Sequence, residues 1–196
     1  MTEAGIQKGP IAAVVPAAGR GERFGGAKLL ADVGGVPLLD RTITSLLDGG
    51  AAFVIVVQAD GADLSAAAML SDERVGVVIN TDPARGMFSS IQVGLAAAGA
   101  ADPVLVLPGD MPFVQGATVA RVAGESQRTS QIVVPTYDGR RGHPVAIPGR
   151  LRQLLIGADP TTTLKIALAA SGDTAMEIAV DDPGVLRDVD VRGDLG

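Results

Sequence analysis

The 196-residue chain has no cysteine and no tryptophan, and only one histidine, one tyrosine and four phenylalanines. The missing cysteines exclude disulfides, thiolate nucleophiles and cysteine-type zinc sites. With His143 alone, histidine-rich metal sites are excluded, and a Ser-His-Asp triad is open only through that residue. Five aromatics are too few for a base-stacking platform. Sixteen lysines and arginines against twenty-two acids leave a net charge of −6 and no basic stripe, which argues against nucleic acid as a partner. No apolar run reaches the ~20 residues needed to span a bilayer, and residues 1–10 hold no signal-peptide core. The expectation is a soluble, cytoplasmic protein with no membrane partner, a loose tail over residues 1–10 and one domain over residues 11–196.

What is present is a rhythm of short apolar runs separated by helical stretches. Ile11–Val15, Phe53–Val57, Gly76–Ile79, Val104–Leu107 and Ile132–Val134 read as strands. Their continuous apolar character predicts burial on both faces, as in a parallel sheet. A helix is predicted from Pro37 to the Gly49-Gly50 pair, with Leu38, Leu39, Ile43, Leu46 and Leu47 on one face. Further helices are predicted over Ser89–Ala98, over Thr118–Ser126, and from Asp159-Pro160 to about Ala170. Tyr137–Ile147 reads as a turn and an antiparallel excursion. The order predicts a three-layer α/β/α, Rossmann-like domain with a mostly parallel sheet. Such sheets bind ligands beyond the carboxyl ends of their strands.

The loop after the first strand runs Ala17-Ala18-Gly19-Arg20-Gly21-Glu22-Arg23-Phe24-Gly25-Gly26-Ala27-Lys28. Small residues let the backbone approach a phosphate closely, and Arg20, Arg23 and Lys28 add positive charge. It is not a Walker A loop, because Lys28 is followed by leucine. It also fails the dinucleotide fingerprint: Phe24 stands where a third glycine belongs, and the nearest strand-end acid, Asp60, lies about twice as far on as the pattern asks.

Carboxylates form a second group. Asp110 follows a buried strand in Leu107-Pro108-Gly109-Asp110, where it could hold a hard cation such as Mg²⁺ together with substrate phosphates. The segment 172–196 carries seven acids against two arginines. Asp181 and Asp182 read as solvated. In Asp188-Val189-Asp190-Val191 the alternation would put both acids on one face of a strand.

The loop resembles the signature of nucleotidyltransferases with an Ala-Ala-Gly-x-Gly-x-Arg-(Met/Phe)-Gly-x-x-Lys pattern. Gly86–Leu95 resembles that family's Gly-Met-x-x-Ser element, and Gly142-His143-Pro144 resembles its molybdenum cofactor branch. The resemblance runs in order from Val14 to Leu195. It implies catalytic roles for Arg23 and Lys28, and nucleotide contacts from Ala17, Ala18, Gly19, Arg20, Gly21, Asn80, Gly86 and Ser90. It also implies a Mg²⁺ (or Mn²⁺) site built from Asp110 with Asp188 or Asp190. Arg141, His143 and Lys165 would face the acceptor.

The chain departs from that pattern in two places. Val191-Arg192-Gly193 replaces a Thr-Pro-Glu, and Lys165 stands in a region where relatives carry an arginine. The Ala17-Ala18-Gly19 triplet is similar to that of cytidylyl-transferring members. The implied reaction is CMP transfer from CTP to the phosphate of a molybdopterin-type acceptor, with handover to a molybdenum hydroxylase or its chaperone. GTP, another NTP, or a sugar or alditol phosphate acceptor gives the same chemistry. A non-catalytic cofactor carrier and a dinucleotide-dependent oxidoreductase are the readings from other classes.

Overall fold

The computed structural model describes residues 9–19 and 28–195. Its centre is one eight-stranded sheet in which seven strands run in the order β3-β2-β1-β4-β7-β5-β6, with β8 paired to β5. The strands are β1 (Ala12–Pro16), β2 (Phe53–Ala59), β3 (Val75–Asn80), β4 (Val104–Val106), β5 (Val133–Tyr137), β6 (Arg140–Arg141), β7 (Val145–Ile147) and β8 (Met176–Ala179). β1 pairs in parallel with β2 and β4, and β2 pairs in parallel with β3. β7 inserts antiparallel between β4 and β5, and β6 folds back on β5. The sequence-based excursion over Tyr137–Ile147 is thus observed. At the amino end, the Pro10 carbonyl accepts the Asp102 amide at 3.0 Å, tying Pro10 to the fold; residues 1–8 of the expected tail lie outside the described residues.

Helices cover both faces: α1 (Leu38–Asp48), α2 (Met87–Ala97), α3 (Gly116–Thr129), α4 (Arg152–Ile156) and α5 (Leu164–Ala169). α1 buries Leu38, Leu39, Ile43 and Leu46 completely, each burial being worth about 1.5–3 kcal/mol. Leu39, Ile43 and Leu46 join α3 residues Val119, Val122 and Ala123 over the odd-numbered side chains of β1, Ala13 and Val15. α2 covers the other face, with Ile91 and Leu95 packed in one cluster with Ala12 and Val14. The alternation along β1 therefore feeds two cores. The approach of α2 is close enough that a Cβ at Gly94 would overlap Val14 Cγ1, which makes glycine a packing requirement there.

Several expectations are corrected. β3 is an edge strand, and Val77 and Ile79 are 42% and 43% exposed, so an apolar run here does not mean burial on both faces. The last helix begins at Leu164, after the Asp159 carboxylate has accepted the Thr161 amide and hydroxyl in a local turn. β8 was not anticipated. It pairs in parallel with β5 from within the acid-rich segment. Residues 188–191 form no strand, although Val189 is fully buried and both neighbouring acids are exposed, so the alternation survives in extended chain.

Asp182 is likewise not solvated. It is 2% exposed and accepts from the Gln115 amide, the Thr118 hydroxyl and the Gly184 amide.

Candidate active site

The loops at the carboxyl ends of β1, β2, β3 and β4 enclose a cleft of about 610 Å³. This is where an open parallel sheet places its ligand. Ala17, Ala18 and Gly19 line it from β1, Ala59 to Leu64 from β2, and Pro108 and Asp110 from β4. Pro83, Gly86, Met87 and Ser90 close it from the entry to α2. Gly86 has φ of +99° as the residue preceding α2, a backbone state that favours glycine.

Lys28 lies at the base of this cleft in a 3-10 turn, Lys28–Leu30. Its Nζ donates to Asp110 Oδ2 at 2.8 Å and to Asp190 Oδ1 at 3.0 Å. Burial works against the ammonium charge, but the bonds to Asp110 and Asp190 outweigh it and raise the lysine pKa above its usual value. Two loops are thereby joined to the carboxyl-terminal segment. The Val189 amide donates to the Asp110 carbonyl at 2.9 Å, and the Gly109 carbonyl accepts the buried Thr42 hydroxyl at 3.1 Å.

Asn80 does not line the cleft. It is buried behind it and donates to the hydroxyls of Ser89 and Ser90, each at 2.9 Å. Ser89 also donates to the Gly86 carbonyl at 2.7 Å. Ser89 is thus the helix-entry serine, and Ser90 lines the cleft wall while its hydroxyl oxygen accepts from Asn80.

The structure also separates the two acids that flank Val189. Asp190 reaches Lys28, whereas Asp188 makes no such bond and acts through its charge on His143. His143 follows Gly142 into a cis peptide with Pro144, and its amide donates to the Val185 carbonyl at 2.9 Å. Burial lowers the imidazole pKa below its usual value, against the opposing charges of Asp110 and Asp188. Arg141 is exposed and paired with Glu177 at 2.6 Å. Lys165 is exposed on α5. Neither lines the cleft. Arg20, Gly21 and Arg23 lie outside the described residues.

The loop after β2, with Asp60 and Asp63, was missed as part of the site. No motif marks it. The signal was topological: β2 is the parallel neighbour of β1, so its following loop borders the glycine-rich one. Asp63 is engaged locally, accepting from the Ser65 amide and hydroxyl, while Asp60 faces the cleft.

A family model for the MobA-like NTP transferase domain matches residues 13–175. The chain belongs to that family. This MobA-like chain is 35% identical over 150 residues to nicotine blue oxidoreductase of Paenarthrobacter nicotinovorans, covering 72% of each. It is 33% identical over 130 residues to 2-C-methyl-D-erythritol 4-phosphate cytidylyltransferase of Rhodococcus opacus (strain B4), covering 65% of the chain and 56% of that relative. The chain thus spans little more than half the length of the cytidylyltransferase. Among solved structures, Rv0371c of Mycobacterium tuberculosis H37Rv superposes with a TM-score of 0.81 at 27% identity, covering 96% of both chains. That protein is also known as a manganese complex (TM-score 0.75, 26% identity, 94% of this chain and 95% of that one). The fold is therefore shared over nearly the whole of both chains.

The donor set at Lys28 suits a hard divalent cation. Asp110 and Asp190 already converge on one positive charge, and both are hard oxygen donors. Among the described residues no three His, Cys, Asp or Glu side chains cluster. Two carboxylates suit an ion whose remaining ligands are phosphate oxygens and water, as Mg²⁺ prefers.

Proposed function

We propose that this MobA-like chain transfers a nucleoside monophosphate from a nucleoside triphosphate to a phosphorylated acceptor, and specifically CMP from CTP to the phosphate of molybdenum-loaded molybdopterin. The observation that carries the reading is the Lys28 ammonium held between Asp110 and Asp190 at the base of a cleft walled by Ala17–Gly19.

In this reaction an acceptor phosphate oxygen attacks the α-phosphorus of the triphosphate. The bond from the α-phosphorus to the bridging oxygen breaks, and pyrophosphate leaves with that electron pair. An ionised phosphate needs no general base. Catalysis then falls to positioning and charge compensation. The Lys28 ammonium sits where it can turn from the carboxylates to the triphosphate. Ala17, Ala18 and Gly19 bring backbone close to the nucleotide, and Ser90 with Gly86 forms the opposite wall. Asp110 and Asp190 would hold Mg²⁺ or Mn²⁺, which when bound compensates charge on the triphosphate and the departing pyrophosphate. Arg20 and Arg23 complete the positive charge of the loop. His143, buried and within electrostatic reach of Asp110 and Asp188, is the residue proposed for the acceptor side. Arg141 would reach an acceptor by leaving Glu177, a weak exposed pair.

A second reading has its own support. Asp60, at the carboxyl end of β2, lines the same cleft as Ala17–Gly19, the relation in which doubly wound folds bind a dinucleotide ribose. One relative is named as an oxidoreductase.

The deciding experiment incubates the protein with Mg²⁺, each nucleoside triphosphate and molybdenum-loaded molybdopterin, with mass analysis of the product. A CMP adduct is expected. A GMP adduct changes the base. Absence of any adduct, together with nicotinamide dinucleotide binding that Asp60→Ala removes, establishes the second reading instead.

A further inference from the structure

Asp190 reaches Lys28 from a segment that no strand ladder holds. Asp188 and Asp190 flank the buried Val189, yet only Asp190 reaches Lys28, so something must hold it there. The answer lies four residues on. Asp194 Oδ2 accepts the Asp190 amide at 2.8 Å and the Val191 amide at 2.9 Å. Two successive amides converging on one carboxylate oxygen make a compact anion nest, and a charged acceptor strengthens both bonds. The clamp is itself anchored: Arg187 donates to the Asp194 carbonyl at 3.1 Å and stacks over Phe113 at 3.9 Å.

We infer that Asp194 is a positioning residue: by clamping the backbone of Asp190 and Val191 it sets the Asp190 carboxylate against Lys28 and opposite Asp110, so that Asp190, and not Asp188, completes the two-carboxylate cation site. The inference rests on the nucleotidyl-transfer reading, because only that reading calls for a divalent cation there. Asp188 has no equivalent clamp and faces His143. Among the described residues Asp194 makes no hydrogen bond to Lys28 and does not line the cleft; its carboxylate holds the backbone of Asp190 and Val191.

The test uses the full chain and its Asp194→Ala, Asp194→Asn and Asp190→Ala variants. Hydrogen exchange at the Asp190 and Val191 amides reads the clamp without any metal. Exchange should accelerate in Asp194→Ala and stay near the wild-type rate in Asp194→Asn, which retains an oxygen acceptor. Mn²⁺ binding, followed by electron paramagnetic resonance of the free ion, reads the consequence. Affinity should fall about tenfold in Asp194→Ala, close to the loss in Asp190→Ala, and be retained in Asp194→Asn. Unchanged exchange or unchanged Mn²⁺ affinity in Asp194→Ala overturns the positioning role while leaving the transfer reading intact. Mn²⁺ binding by no variant, wild type included, overturns both.

Discussion

Lys28 and Asp110, 82 residues apart in sequence, meet at 2.8 Å on the floor of the cleft. The lysine ends the glycine-rich loop and the aspartate lies in the loop that follows β4, the strand beside β1. Their contact brings an ammonium and a carboxylate from two different loops to one place in the cleft.

Asp110→Ala removes one of the two carboxylates while leaving the buried backbone of Gly109 and its bond to Thr42 in place. Pyrophosphate release should drop by about 10²-fold or more, with circular dichroism and the melting temperature close to wild type. Near-normal turnover contradicts the cation-site assignment.

Lys28→Met takes the resident positive charge out from between Asp110 and Asp190. Two uncompensated carboxylates attract a cation more strongly, so nucleotide-free Mn²⁺ affinity should rise. Turnover should fall by about 10²–10³-fold, since the ammonium no longer compensates triphosphate charge. Calorimetric titration with Mn²⁺ and a pyrophosphate assay check the two opposite directions in one variant.

His143 gives a pH prediction. Burial lowers its pKa in the folded chain below the ordinary 6.5. The unfolded chain therefore binds the proton more readily, and stability falls as pH drops below about 6.5 and through the folded pKa. Above that window the group contributes no slope. His143→Gln should flatten the loss of melting temperature below pH 6.5 relative to wild type. Parallel curves for the two proteins contradict the assignment.

Asp182→Ala leaves three donors around a nearly fully buried site without their acceptor. The cost should be about 3 kcal/mol or more, which at about 2–4 °C per kcal/mol lowers the melting temperature by roughly 6–12 °C. Differential scanning calorimetry measures it.

These residues also show what a sequence can reveal here. The first strands were legible because β1, β2 and β4 are buried apolar runs ended by glycine, aspartate or proline. α1 was legible because its leucines and isoleucine repeat at helical spacing. The residue types of the site, small backbone, one lysine and scattered aspartates, were visible as well. Partnership was not. Residue type and spacing alone do not distinguish Asp190, which meets Lys28, from Asp188, since both flank the same buried valine and only the folded backbone shows Asp194 bonded to the Asp190 amide. Asp182 looked solvated beside Asp181 because its three donors come from elements 64 to 67 residues away and from Gly184. β8 was hidden because its burial alternates over four residues within an acidic stretch. Asp60 carries no motif, and its place in the cleft depends on β2 lying beside β1.

The most direct test of nucleotidyl transfer is pyrophosphate release by the purified chain with Mg²⁺, CTP and molybdenum-loaded molybdopterin. Release of one pyrophosphate per CMP-bearing product, abolished by Asp110→Ala, is the expected result. No pyrophosphate from any nucleoside triphosphate, with the acceptor present and the fold intact, contradicts it.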